Sequence, residues 1–130
     1  MPPSLKVVRE SFSTAKPFTI SRGAKTSADV ITCILEHDGH VGRGECVPYA
    51  RYGESVEGVM ADIEKMAEAL ANGLDREALQ SELKAGAARN ALDCAMWDLE
   101  AKRSGNRVSD TACRMLPRPV PTAVTISLGD

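Results

Sequence analysis

Gly44-Glu45-Cys46-Val47-Pro48-Tyr49-Ala50-Arg51-Tyr52-Gly53-Glu54-Ser55 is where the chain changes its period, from strand-like alternation to helical spacing. Upstream, Val30-Ile31-Thr32-Cys33-Ile34-Leu35-Glu36 is the strongest strand signal, apolar and rich in β-branched residues. Asp38-Gly39 follows as a tight-turn dipeptide, because glycine tolerates the positive φ such turns require. Val41 to Cys46 returns as the partner strand, thinned by Gly42 and Gly44. Leu5 to Ser13, with Val7 and Val8, reads as an edge strand or its start, and Pro17-Phe18-Thr19-Ile20 follows it. The polar segment Ser21-Arg22-Gly23-Ala24-Lys25-Thr26-Ser27 reads as a flexible loop.

Downstream, Ser55 is an N-cap candidate and Glu57 suits the positive end of a helix. Val59, Ile63, Met66 and Leu70 make one apolar stripe, which Gly73 ends. Asp75 caps a short helix carrying Leu79 and Leu83. A third helix runs from about Ala87 to Arg103, with Ala88, Leu92, Ala95, Met96 and Leu99 on one face and Gly105 at its end. A short helical turn is expected from Ser109 to Met115. The fold class is α+β: a three-stranded antiparallel meander followed by a helical bundle.

Pro117-Arg118-Pro119-Val120-Pro121 is a stiff extended linker, and Thr122 to Leu128 reads as another strand. The division expected is a domain over 1–116 and a linker plus strand over 117–130. That last strand has no partner nearby in sequence, so it returns to the sheet or begins something further.

With 130 residues, 43% hydrophobic and 26% charged, the chain can bury one core and is not of disordered composition. A net charge of -2 argues against a nucleic-acid partner. No apolar run approaches the roughly 18 residues of a membrane span, and the N-terminus lacks a signal-peptide pattern. A cytoplasmic location follows as the expectation. Cys33, Cys46, Cys94 and Cys113 show no C-x-x-C spacing, which disfavours a zinc site. Cys33 and Cys46 read as reduced, buried small hydrophobes.

Catalytic patterns are missing. His37 and His40 flank a turn, there is no G-x-S-x-G, and no phosphate-binding glycine motif occurs. Asp98 and Lys102 read as an ordinary helix-surface ion pair, and Trp97 as a packing residue. No set of converging oxygen ligands is evident for a divalent metal. What stands out is Arg22 and Lys25 in one loop, and Arg51 and Tyr52 in another. If the loops meet at one end of the sheet, they make a partly cationic, partly aromatic rim for a carboxylate-bearing ligand.

Two motifs carry a family resemblance. Pro48-Tyr49-Ala50-Arg51-Tyr52-Gly53-Glu54-Ser55, after the meander, and Ala85-Gly86-Ala87-Ala88-Arg89-Asn90-Ala91-Leu92-Asp93-Cys94-Ala95-Met96-Trp97-Asp98-Leu99 together resemble the N-terminal capping domain of the enolase superfamily. The branch is that of the muconate-lactonizing enzymes, and within it the dipeptide epimerases acting on L-Ala-D/L-Glu. The resemblance spans essentially the whole chain but only about the first two fifths of such an enzyme. It implies that Thr122 to Leu128 is the first strand of a (β/α) barrel, and that catalytic lysines and Mg2+-binding carboxylates lie later in that barrel. No catalytic or metal residue is therefore expected among these residues, and none of the Mg2+ chemistry.

The implied chemistry is removal of the proton α to a carboxylate and its return on the opposite face. The implied role of this part is selection of a small dipeptide by two loops, Arg22 to Thr26 and Pro48 to Gly53, that close over the barrel. Lys25 matches the cationic position associated with the glutamate side chain, and Thr125 a substrate-contacting one. With Arg22, Arg51 and Tyr52 these are the expected substrate-binding residues. Taken alone the chain is expected to be inactive, with the barrel as its missing partner and homo-oligomers possible through the final strand. Alternatives are a relative of o-succinylbenzoate synthase or muconate cycloisomerase, or a non-catalytic binding or assembly module.

Overall fold

Three strands form one antiparallel sheet in the order β1 (Ser4–Ile20), β2 (Gly23–His37) and β3 (His40–Cys46). The computed structural model describes residues 1–20 and 23–124. Arg22 and Thr125 lie outside the described residues, as does most of the strand expected over 122–128; residues 122–124 have no regular structure.

The β2–β3 hairpin closes with His37 opposite His40, and Asp38 and Gly39 both take positive φ, 50° and 76°. This is the paired left-handed geometry that favours an Asp-Gly turn. Alternation along β2 turns Ile31, Cys33 and Leu35 to one buried face.

The segment Ser21–Ser27 corrects the expectation of a flexible loop. From Gly23 onward it is part of β2, with Lys25 paired to Phe18. The register runs unbroken from Ser4 opposite Glu36 to Ser13 opposite Ser27, then slips, so that Thr14 to Pro17 stand opposite Thr26 alone. Pro17, which has no N–H to give a ladder, is accommodated by this irregularity on an edge strand. Residues 10–19 and 23–28 are all exposed. Their polar composition therefore reports a two-stranded arm standing in solvent, not a loss of regular structure.

Among the described residues β3 is followed by a 3-10 turn (Ala50–Tyr52) and five helices: α1 (Val56–Glu64), α2 (Ala67–Ala71), α3 (Arg76–Glu82), α4 (Ala87–Ser104) and α5 (Val108–Ala112). The single helix expected between Ser55 and Gly73 is two, broken where the Met66 N–H bonds to the Ile63 carbonyl at 3.0 Å. That tighter turn keeps Val59, Ile63, Met66 and Leu70 all buried, so the stripe survives the break. The caps form as expected: the Gly58 N–H donates to Ser55 Oγ at 3.1 Å, and the Ala78 N–H to Asp75 Oδ1 at 2.8 Å. Gly105, at φ 73°, ends α4.

The helices pack on one face of the sheet around Ile31, Leu35, Ile63, Leu79 and Leu92. Gly42 and Gly44 let α4 lie directly on β3. A Cβ on Gly42 would overlap the Ala95 carbonyl oxygen and stand 2.6 Å from Leu99 N; one on Gly44 would overlap the Ala91 carbonyl oxygen and stand 2.6 Å from Ala95 N. The same helix clasps the outer edge of β3. Lys102 Nζ donates to the Val41 carbonyl at 2.8 Å, the Arg43 N–H to Asp98 Oδ2 at 2.8 Å, and Asn90 Nδ2 to the Glu45 carbonyl at 3.3 Å. Asp98 and Lys102, 2.6 Å apart, are thus more than a helix-surface pair: both also bind the sheet. Trp97 is half-buried, and the Arg76 guanidinium lies over its ring at 3.3 Å from the centroid, so it is a cation–π partner as well as packing. No helix among the described residues is long and apolar enough to cross a membrane.

Candidate functional site

The exposed arm and the loop after β3 enclose a cleft of about 970 Å3. Phe18, Gly23, Ala24 and Lys25 line one side, and Pro48, Tyr49, Ala50 and Arg51 the other. The two sequence segments singled out for their cations therefore do meet, at the end of the sheet away from the histidine turn.

The loop is built from short-range bonds. The Tyr52 N–H donates to the Tyr49 carbonyl at 2.9 Å and the Gly53 N–H to the Ala50 carbonyl at 3.0 Å. Gly53 takes φ 74°, a conformation costly for other residues. The rings of Tyr49 and Tyr52 stand 5.6 Å apart at an interplanar angle of 55°. Lys25 Nζ lies 5.7 Å from the Tyr49 ring centroid, within cation–π range. Tyr49 rather than Tyr52 lines the cleft; Tyr52, 76% exposed, touches it only through Tyr49.

Lys25 and Arg51 have no carboxylate partner among the described residues. Other cations near the sheet do have such partners, Arg9 in Asp29 and Glu57, and Arg103 in Asp38. The nearest acid on the loop, Glu54, is turned away: its Oε2 accepts from the Tyr49 N–H at 2.9 Å and its Oε1 from the Ala87 N–H at 2.7 Å. Glu54 was not singled out in the sequence because its second partner lies far along the chain. The legible signal was Gly86, a residue with no capping side chain at the start of a long helix.

Other candidates are removed from the site. His37 Nε2 lies 3.3 Å from Asp38 Oδ2 and His40 Nδ1 lies 3.0 Å from the Asp38 carbonyl, both at the opposite end of β2. Cys33 and Cys46 are buried and free; burial, with the other thiol nearby, pushes Cys33 up to about 12, and burial with Glu54 and Glu45 pushes Cys46 up to about 11. Neither is a thiolate nucleophile. Among the described residues no three His, Cys, Asp or Glu side chains converge on a point where a metal ion could sit. The donor set does not fit Mg2+, and no step through it is assigned to these residues.

An arrangement of two cations and an aromatic wall can bind and orient a carboxylate and shield it from water. Residues 4–111 match the family model of the mandelate racemase / muconate lactonizing enzyme N-terminal domain. The chain belongs to this family. It is 48% identical over 126 residues to an L-Ala-D/L-Glu epimerase of Escherichia coli (strain K12), across 97% of this chain and 39% of that protein. It superposes, with a TM-score of 0.92 and 55% identity, on an enolase family member from Agrobacterium tumefaciens with homology to dipeptide epimerases, which holds sodium and L-Ala-L-Glu; 99% of this chain and 40% of that one are covered. A dipeptide epimerase from Methylococcus capsulatus, complexed with Mg and L-Arg-D-Lys, aligns with a TM-score of 0.81 at 27% identity, over 99% of this chain and 39% of that one. The chain thus spans about two fifths of the length of these relatives. The α+β reading, a three-stranded meander with helices as an enolase-type capping domain, stands.

Proposed function

We propose that these residues are the substrate-selecting cap of a dipeptide epimerase acting on L-Ala-D/L-Glu-type dipeptides. The observation that carries the reading is the pair Lys25 and Arg51, which line one cleft and have no carboxylate partner among the described residues. A ligand with a carboxylate side chain supplies what they lack. The similarity to a structure holding L-Ala-L-Glu supports it. Lys25 contributes a point charge, Arg51 a planar fork suited to a carboxylate, and Tyr49 with Tyr52 an aromatic wall. Arg22 and Thr125 belong to the same proposal as substrate contacts.

In this reading residues 1–116 are the cap, and 117–130 a linker and the first strand of a barrel. Removal of the α-proton and its return on the opposite face would fall to residues of the barrel, where a bound Mg2+ would supply positive charge for the substrate carboxylate. The cap's part is to admit the side chain, hold it and exclude water. A cytoplasmic setting, and self-association of the cap when no barrel covers it, complete the proposal.

Deuterium incorporation at the α-carbon of L-Ala-L-Glu, in D2O with Mg2+, tests it. The 130 residues alone should exchange nothing, and the protein encoded by the complete reading frame should exchange readily. A charge-assisted hydrogen bond is worth about 1.5–3 kcal/mol, so Lys25→Glu or Arg51→Glu should raise KM for L-Ala-L-Glu by at least about tenfold. The same variants should leave L-Ala-L-Ala nearly unaffected. Equal losses on the charged and uncharged dipeptides would overturn the assignment.

A further inference from the structure

We infer that Glu54 is the positioning residue that sets the shape of the cleft, by strapping the tyrosine-bearing loop to the N-terminus of α4. Its effect on substrate rests on the proposal that the cleft selects a dipeptide; the strap itself does not.

The 3-10 turn Ala50–Tyr52 buries no residue, Val47 and Tyr52 are exposed, and Pro48 and Tyr49 are only half-buried. Burial therefore anchors the loop only in part, and short-range bonds within a single turn do not fix how that turn sits on the body. Glu54 supplies that tie. One carboxylate oxygen holds the Tyr49 N–H, and the other holds the Ala87 N–H, 33 residues away. Tyr49 carries the ring that meets Lys25 and lines the cleft, so the strap fixes the element whose position matters most.

The helix end is fitted to receive it. The first N–H groups of a helix lack internal partners and favour negative charge. In α4 the N-cap is Gly86, with no side-chain cap of its own. A Cβ at Gly86 would stand 2.8 Å from Glu54 Oε1, so the glycine leaves room for a carboxylate arriving from another element. Ser55, the adjacent residue, caps α1 independently by accepting from Gly58, so the strap is not a by-product of that cap. Because α4 is seated on β3 through Gly42 and Gly44, the strap ties the loop to a helix packed directly on the sheet.

The test uses the intact protein and its Glu54→Ala, Glu54→Gln and Ser55→Ala variants, with amide hydrogen exchange and epimerase kinetics. Glu54→Ala should raise exchange at Tyr49 and Ala87 by about tenfold or more relative to the core amide of Leu92, as expected for a lost charged hydrogen bond. Glu54→Gln keeps one acceptor oxygen and should free one of the two amides. Ser55→Ala should lower overall stability without singling out either amide. With L-Ala-L-Glu, Glu54→Ala should raise KM by about tenfold and leave kcat within about twofold, since uniform binding is what a displaced wall loses. Protection of Tyr49 and Ala87 unchanged in Glu54→Ala, or lost only in step with Leu92, overturns the inference. Absence of dipeptide turnover by the unsubstituted protein encoded by the complete reading frame would sink the proposed function and leave the exchange result to decide the strap.

Discussion

Gly44→Ala is the most telling single substitution in this fold. The added Cβ would overlap the Ala91 carbonyl oxygen, and stand 2.6 Å from Ala95 N and 2.9 Å from Cys94 Cβ. Ordinary contact begins at 3.4 Å, so the Ala95 N contact alone requires α4 to lift by about 0.8 Å, and the Ala91 carbonyl oxygen requires more. The obstacles are mostly backbone atoms, which no rotamer change relieves. Overpacking costs about 1–3 kcal/mol where side chains can adjust, and the upper end applies here. For a domain of this size about 3 kcal/mol lowers Tm by roughly 12 °C. Thermal unfolding followed by far-ultraviolet circular dichroism gives the number. Gly53→Ala is the comparison: φ is 74° there but nothing lies within 4 Å, so only backbone strain of about 1 kcal/mol is incurred. Adding Ala91→Gly to Gly44→Ala should bring no recovery, because the clash is with the carbonyl oxygen and not with the methyl group. A Tm within a degree or two of the parent chain, or recovery in the double variant, would refute the close helix–strand seat.

Two further outcomes follow from the thiols and from Asp98. In the folded chain Cys113 and Cys94 should react with a thiol reagent, Cys94 more slowly because burial and Asp93 push its thiol up, whereas Cys33 and Cys46 should react only on unfolding; fast modification of either buried thiol would contradict the core described above. Partial burial pushes the Asp98 carboxyl up, but hydrogen bonds from Lys102 and the Arg43 N–H, with the charges of both residues, more than offset it and hold it below the usual carboxylate value. Its folded value being the lower one, its contribution is complete above the unfolded value of about 3.9 and is lost as pH falls through the folded one. The urea midpoint of Asp98→Asn should therefore lie below that of the parent at neutral pH and converge with it in acid; a gap independent of pH would exclude the ion pair as its cause.

Much of the architecture was legible because its signals are local. Val30 to Leu35 alternates, Asp38-Gly39 can turn tightly, and Ser55, Asp75 and Gly105 cap their helices with their own atoms. Where partners are distant, reading failed. Gly23 to Ser27 is polar because the arm is solvated, and nothing local distinguishes a solvated strand from a loop. The break between α1 and α2 leaves the apolar spacing intact, so periodicity is blind to it. In the cleft, Lys25 and Arg51 were visible as unusual cations, but Tyr49 was separable from Tyr52 only by orientation, and Glu54 only by its bond to Ala87. Gly42 and Gly44 looked like weak points in a strand; they are where a helix needs the space.

Because Lys102, Asp98 and Asn90 occupy the Val41 carbonyl, the Arg43 N–H and the Glu45 carbonyl, an incoming strand finds its ladder beside β3 blocked at three successive outward positions. The register leaves the outward groups of Leu5, Val7 and Arg9 on β1 without such a clasp among the described residues. Growth of the sheet is one-directional as a result. A fourth strand contributed by a neighbour, a fusion or a designed graft can add at β1, while the side that carries α4 is closed to it.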